Sequence, residues 1–334
     1  MSFRDEHLRQ LSALTATTAP QAALQLFRYQ ARHCPPYAAY LKALGCQPEQ
    51  VAGSEEIPFL PIEFFKTHEV RTDPAEWQPQ EVFLSSGTTR QQRSRHYVRD
   101  SQLYRRHAAE IFERYYGPLN GWTILALLPS YLEQGESSLV AMVEHFAQVS
   151  GQRQSAFFLH DHAALLSAIE QARQTSNRRI LLIGVSYALL DFAATYAGNP
   201  VLQGLTVLET GGMKGRRREM IREELYQELQ AAFGPAGIHS EYGMTELLSQ
   251  AYSLGDGRFH APPQLQVLLR DPSDPFAVSA SRTTGAINVI DLANVDSCAF
   301  IETKDLARMH PDGSFEVLGR LDNSDIRGCN QLAD

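Results

Sequence analysis

The chain has 334 residues, 43% hydrophobic and 9% aromatic, enough for one large domain or two ordinary ones with a sizeable core. Its net charge of −8 speaks against a global attraction to nucleic acid or an anionic membrane, yet leaves room for a phosphate-bearing substrate held by local amides and a few basic side chains. Met1 to Gln10 has no apolar signal-peptide core, no run approaches the roughly 18 apolar residues of a membrane span, and Cys34, Cys46, Cys298 and Cys329 show no CxxC spacing, so a cytoplasmic protein without stable membrane insertion is expected.

Thr17-Thr18-Ala19-Pro20 reads as a helix start, with a hydroxyl cap and an early proline. Ala23, Leu24, Phe27 and Ala31 follow at helical spacing, and Cys34-Pro35-Pro36 ends that helix. Tyr37 to Leu44 reads as a second, shorter helix, and Ile57-Pro58-Phe59-Leu60-Pro61 as an extended segment stiffened by proline. Apolar runs at Trp122–Leu128, Ile180–Val185, Leu205–Leu208, Gln266–Leu269, Ala286–Ile290 and Ala299–Thr303 read as strands, several with helical stretches between them. Ile221, Leu225, Leu229 and Phe233 place one apolar stripe on one helix, and Gly255-Asp256-Gly257 reads as a turn. The expectation is α/β: a helical segment over residues 1–56, continuous with one large unit over residues 57–334.

Four stretches carry residue types suited to phosphate or nucleotide chemistry. Leu84-Ser85-Ser86-Gly87-Thr88-Thr89, with Arg90, Arg93, Arg95 and His96 behind it, offers hydroxyls and amides for phosphate oxygens; a polar loop is the alternative, and it is not a GxxxxGK[ST] loop. Thr210-Gly211-Gly212-Met213-Lys214-Gly215 follows a strand, and paired glycines let a flat ring or a phosphate approach the backbone; a tight strand-to-helix turn explains them as well. In Tyr242-Gly243-Met244-Thr245-Glu246 an aromatic can lie against a base, Thr245 can hydrogen-bond a phosphate and Glu246 can hold Mg²⁺; the alternative is a loop-to-helix junction with an acidic first turn. In the tail, Asp305 is expected just after a strand, where it could accept from ribose hydroxyls, and Arg320 could donate to them; both also fit a charged surface turn. His160-Asp161-His162 reads as a surface loop rather than a metal site, Cys298 as a core residue, and His145 as a core or pocket-lining residue.

In this order the four stretches resemble the adenylate-forming, acyl-CoA synthetase-like superfamily. A narrower set looks like the acyl-protein synthetases, the long-chain-fatty-acid–protein ligases of the bioluminescence fatty-acid reductase. It comprises Ile57–Pro61 with Phe65-Lys66-Thr67-His68, the Ser85–Thr89 loop, Ser240–Leu247, and Asn323-Ser324-Asp325-Ile326-Arg327-Gly328-Cys329. The resemblance implies the large N-terminal domain of that superfamily, with mixed sheets covered by helices. Only 14 residues follow Arg320, so the small C-terminal domain and its catalytic lysine are expected to be absent.

What the resemblance implies chemically is an ATP- and Mg²⁺-dependent activation of a carboxylic acid, fatty acyl in the narrower family. Transfer to a thiol follows. By it Ser85, Ser86, Gly87, Thr88 and Thr89 hold the triphosphate, Thr245 donates to a phosphate, and Glu246 binds Mg²⁺. Gly211, Gly212, Tyr242 and the adjoining Gly243 serve the adenine, and Asp305 and Arg320 the ribose. Cys329 is the expected acyl acceptor, with Arg327 favouring its thiolate; an incidental cysteine is the alternative. The phosphate loop lacks the superfamily's proline and lysine, and for the catalytic lysine of the C-terminal domain Lys214, Arg93 or a partner is the expected substitute. The thiol acceptor could also belong to a partner, a reductase subunit or an acyl carrier protein. Two other readings remain: an aryl-CoA ligase of the phenylacetate type, and a non-catalytic nucleotide- or acyl-binding subunit. The oligomeric state is not legible.

Overall fold

The computed structural model describes residues 2–86, 92–129, 135–151, 156–212, 220–234 and 237–321. The helices are α1 (Phe3–Leu11), α2 (Ala19–His33), α3 (Pro35–Ala43), α4 (Phe64–Thr67), α5 (Ser101–Tyr116), α6 (Ser138–Val149), α7 (His162–Thr175), α8 (Ser186–Thr195) and α9 (Arg222–Phe233). The strands are β1 (Leu60–Pro61), β2 (Glu81–Leu84), β3 (Arg95–Val98), β4 (Trp122–Leu127), β5 (Arg179–Gly184), β6 (Thr206–Glu209), β7 (Ile238–Tyr242), β8 (Ala251–Ser253), β9 (Phe259–His260), β10 (Leu265–Asp271), β11 (Asp274–Val278), β12 (Thr284–Asp291), β13 (Phe300–Met309) and β14 (Phe315–Arg320). The chain divides into two compact units, one of residues 1–101, 244–249 and 260–334, the other of residues 102–243 and 250–259.

In the first unit, β11, β10, β12, β13 and β14 pair antiparallel in that order, and β1 adds to β13 in parallel. β2 and β3 form a separate antiparallel ribbon. Phe300 anchors the helices to the sheet: its ring lies 5.7 Å from Phe27 of α2, 6.0 Å from Tyr37 of α3 and 6.4 Å from Phe59. Burying such rings contributes about 1.5–3 kcal/mol each, which holds short helices that would be marginal alone. The buried face of α2 is Ala19, Ala22, Ala23, Leu26, Phe27 and Gln30. Leu24 and Ala31, expected on it, are only half-buried, because the stripe is rotated to include the polar Gln30. Gln30 is satisfied at both ends, donating to Asn294 O at 2.8 Å and accepting from Ala299 N–H at 2.8 Å.

The expected hydroxyl cap at Thr18 is not formed. Thr18 is already in helical conformation, and its hydroxyl accepts from Thr15 N–H at 2.9 Å instead. Cys34 ends α2 as expected, and α3 begins at once on Pro35, where proline needs no backbone donor.

In the second unit, β4, β5, β6 and β7 pair in parallel, and β8 adds antiparallel to β7. The middle strands are continuous apolar runs, as in Ile180–Ile183, where successive side chains on both faces are buried. Along α9, Leu225, Leu229 and Phe233 are buried, but Ile221 precedes the helix and is exposed, so the expected apolar stripe is one residue short. Cys298 is fully buried in the first unit. No helix among the described residues is long and apolar enough to cross a membrane.

Candidate functional site

The base of the phosphate loop is built by the β2–β3 ribbon. Where the ribbon ends, Ser85 and Ser94 pair: Ser85 N–H donates to Ser94 O at 3.1 Å, and Ser94 N–H donates to Ser85 Oγ at 2.9 Å. Arg93 folds back over this closure, donating from Nε to Ser85 O at 2.6 Å. Its guanidinium therefore braces the loop's own backbone. Ser94 is buried and hydrogen-bonds the carboxyl of Glu246. The loop base and Glu246 are thus joined through one serine.

Glu246 is a buried acid. Burial pushes its carboxyl above the usual range, while the Ser94 hydrogen bond and the charges of Lys66 and Arg320 pull it back. Its backbone is fixed as tightly: Asn294 Nδ2 donates to Glu246 O at 2.8 Å. The neighbouring Thr245 O faces His96 Nδ1 at 2.8 Å, so that nitrogen carries a proton. His96 is buried, which pushes its pKa down, and its contacts with Thr245 and Asn294 push it up. Phe65 of α4 packs edge-on to its ring at 6.1 Å, which places the Phe65-Lys66 segment at this site.

Asp305 is not beyond a strand, as expected, but inside β13, because that strand runs on to Met309. Its register partner is Arg320 at the end of β14, with Nε 3.5 Å from Asp305 Oδ1.

In the second unit, β6 ends at the buried Glu209, whose carboxylate organises the turn that follows. Gly211 N–H donates to Glu209 Oε1 at 2.5 Å, Ser186 Oγ donates to the same oxygen, and Ser240 Oγ donates to Oε2 at 3.1 Å. Tyr226 completes the chain, its hydroxyl 2.6 Å from Ser240 Oγ. Gly211 and Gly212 have φ of +78° and +92°, so both need glycine. Tyr242 closes β7 as a buried ring 5.9 Å from Phe259. Gly243 follows it, and a Cβ there would lie 2.1 Å from Glu241 Oε1. No helix starts after Tyr242, which removes the loop-to-helix alternative.

The first unit therefore brings together Ser85, Arg93, Thr245 and Glu246, and separately pairs Asp305 with Arg320, while Ser86 is an exposed neighbour of Ser85. The second gathers Gly211 and Gly212 on Glu209, and Tyr242 with Gly243 at the end of β7. Gly87, Thr88, Thr89, Lys214 and Cys329 lie outside the described residues. Asp161 caps α7 by accepting from Ala164 N–H at 2.8 Å, which accounts for the His160–His162 stretch. Among the described residues no three His, Cys, Asp or Glu could hold a metal by themselves. A lone Glu246 suits a cation that shares its oxygens with phosphates, as Mg²⁺ does, rather than a protein cage. Sequence reasoning passed over Ser94, Asn294 and Glu209, and it took His96 only as a charge behind the loop. Each acts across a long sequence separation and belongs to no spaced motif.

No protein-family model matches the sequence, and no curated protein matches it. Solved structures do. A 2-hydroxyisobutyryl-CoA ligase in complex with 2-HIB-AMP and CoA, in the thioesterification state, superposes with a TM-score of 0.66 at 16% identity, over 97% of this chain and 75% of that one. The same ligase in the postadenylation state gives 0.65 at 15% identity, over 92% and 68%. ATP-bound MatB from Rhodopseudomonas palustris gives 0.52 at 17% identity, over 72% and 47%. The fold is that of the adenylate-forming enzymes. The chain spans about half the length of MatB. Within the adenylate-forming fold, the β2–β3 closure, the Tyr242–Glu246 stretch and the Asp305–Arg320 pair are all built as described above.

Proposed function

We propose that this chain activates a carboxylic acid with ATP as an acyl-adenylate and passes the acyl group to a thiol. The observation that carries the reading is the Ser85–Ser94–Glu246 connection, which ties a hydroxyl-rich loop to a buried acid in a chain with the adenylate-forming fold. An acid of that kind, joined through Ser94 to the base of a segment whose sequence is rich in hydroxyls, suits a magnesium-bound polyphosphate. In the first unit the Ser85–Thr89 loop and Thr245 take the phosphates, Glu246 takes Mg²⁺, and Asp305 and Arg320 take the ribose. In the second, Gly211, Gly212, Tyr242 and Gly243 take the adenine.

The chemistry is a double displacement. A carboxylate oxygen attacks the α-phosphorus and pyrophosphate leaves, which converts a poor leaving group into AMP. A thiolate then attacks the acyl carbon and AMP departs. When bound, Mg²⁺ offsets the charge that builds on the phosphates. The finer reading is acyl-protein-synthetase-like, with a fatty acid as substrate. The acceptor is then Cys329 or a thiol on a partner such as a reductase subunit or acyl carrier protein. Lys214 and Arg93 are the basic residues proposed to assist the first step.

The test is pyrophosphate release from ATP and Mg²⁺ across a panel of short, long-chain and aromatic acids. Release with one class names the substrate. If no acid gives release and ATP leaves the melting temperature unchanged, the reading fails and a non-catalytic role takes its place. Radiolabelled acid then tests the acceptor, because label that persists in Cys329→Ser excludes Cys329.

A further inference from the structure

The segment Met244–Ser249 holds Thr245 and Glu246 in place without a helix or strand of its own. A set of side-chain contacts does that work. His96 Nδ1 donates to Thr245 O, and Asn294 Nδ2 donates to Glu246 O, each at 2.8 Å. Asp291 Oδ2 accepts from Leu248 N–H at 2.6 Å and Ser249 N–H at 3.1 Å, and its Oδ1 accepts from Ser249 Oγ at 2.6 Å. His96 and Asn294 also meet each other, with Nε2 2.9 Å from Oδ1. All three side chains are at most 1% exposed.

The loop that carries Asp291 and Asn294 is itself fixed from the opposite direction. His7 of α1 meets Leu292 O at 2.7 Å, and Arg4 grips Asp296 with two bonds, Nε at 2.6 Å and Nη2 at 2.8 Å. Gln30 of α2 donates to Asn294 O at 2.8 Å, Thr72 N–H to Asp296 O at 3.0 Å, and Ser297 Oγ to Val70 O at 2.8 Å. A loop pinned at five points costs conformational entropy to order, and such cost is retained where a main-chain path must be unique.

We propose that His96, from β3, and Asn294, from the Asp291–Ser297 loop, are positioning residues that hold the Thr245–Glu246 main chain directly, so that its hydroxyl and carboxylate are presented in one orientation. The proposal rests on the reading of that segment as phosphate- and Mg²⁺-binding. It gives the N-terminal helices a purpose as well: α1 and α2 buttress the loop that buttresses the site.

The test uses the full chain with His96→Ala, Asn294→Ala, both together, and His96→Asn, whose amide nitrogen falls where Nδ1 lies. Circular dichroism first establishes that each is folded. Hydrogen exchange without nucleotide is then followed over residues 244–249. The alanine variants are expected to exchange there at least roughly tenfold faster, with β12 and β13 unchanged. ATP–pyrophosphate exchange, run with an acid that supports it, is expected to lose roughly 10–100-fold in kcat with a smaller change in KM for ATP. His96→Asn recovers most of the loss, and the double variant falls no further than the worse single one. Wild-type protection over 244–249 in the folded alanine variants overturns the proposal, as does wild-type kcat. If the unaltered protein neither binds ATP nor exchanges pyrophosphate, the ATP reading fails by itself. The protection of residues 244–249 then decides the positioning role alone.

Discussion

Asp305 and Arg320 sit opposite one another in the β13–β14 register, and their side chains meet at 3.5 Å. The Arg320 side chain is 69% exposed, and exposed ion pairs contribute only about 0–1 kcal/mol. Stability does not account for the pair, whereas a ligand whose hydroxyls donate to Asp305 and accept from Arg320 would. Asp305→Ala is therefore expected to leave the unfolding midpoint nearly unchanged and to weaken ATP binding by roughly 10–100-fold, the worth of a hydrogen bond to a charged group. Calorimetric titration with ATP checks it, and unchanged affinity removes Asp305 from the site.

Glu246 is expected to be costly to the empty protein. Burial raises its carboxyl, so the ionised form is disfavoured until a cation arrives. Glu246→Gln keeps a partner for Ser94 and removes the charge. Its melting temperature without ligand should match or exceed wild type, while Mg²⁺-dependent pyrophosphate release falls by at least roughly 100-fold. A variant that melts lower yet keeps its activity would contradict both halves.

Glu241 gives a pH signature in the second unit. Burial and the nearby charge of Glu209 push its carboxyl up to about 8. In the unfolded chain it titrates near 4.3. Between those values the folded state holds the extra proton, so stability contributed by this group falls as pH rises from about 4.3 to 8 and is flat above. Glu241→Gln should flatten that part of the curve and raise the melting temperature at pH 8.5 by roughly 2 °C or more. Melting curves from pH 5 to 9 check it; parallel curves for the two proteins would refute it.

Gly243 is glycine for space. A Cβ there would lie 2.1 Å from Glu241 Oε1, so Gly243→Ala must displace that carboxylate. The expected cost is about 1 kcal/mol, at the low end for overpacking because the obstacle ends a side chain rather than a strand. In an Glu241→Ala background the cost should vanish. A double-mutant cycle by urea unfolding measures the coupling, and additive losses would place the obstacle elsewhere.

Much of the fold was legible because its signals are local. Continuous apolar runs marked β4, β5, β6, β10 and β12 to within a few residues and the first half of β13, and the prolines at 35 and 36 marked the break between α2 and α3. Errors came where long-range contacts outvoted local preference. Thr18 is not a cap, Ile221 is outside its helix, and the α2 stripe turns to bury Gln30, whose partners lie at Asn294 and Ala299. Asp305 was placed past its strand because alternating charged residues hid the second half of β13.

The sequence by itself determined which residue types stand where: the Ser85–Thr89 hydroxyls, the paired glycines at 211 and 212, and the acid at 246. Those follow from composition within a few neighbouring positions, and their order along the chain suggested the superfamily. Only the tertiary structure decided how they are held. Ser94 joins the loop to Glu246, Glu209 shapes the glycine turn, and His96 with Asn294 fixes the backbone of residues 245 and 246. The physical reason is distance along the chain: His96 and Thr245 are 149 positions apart, and a hydrogen bond between them leaves no periodicity for a sequence to display.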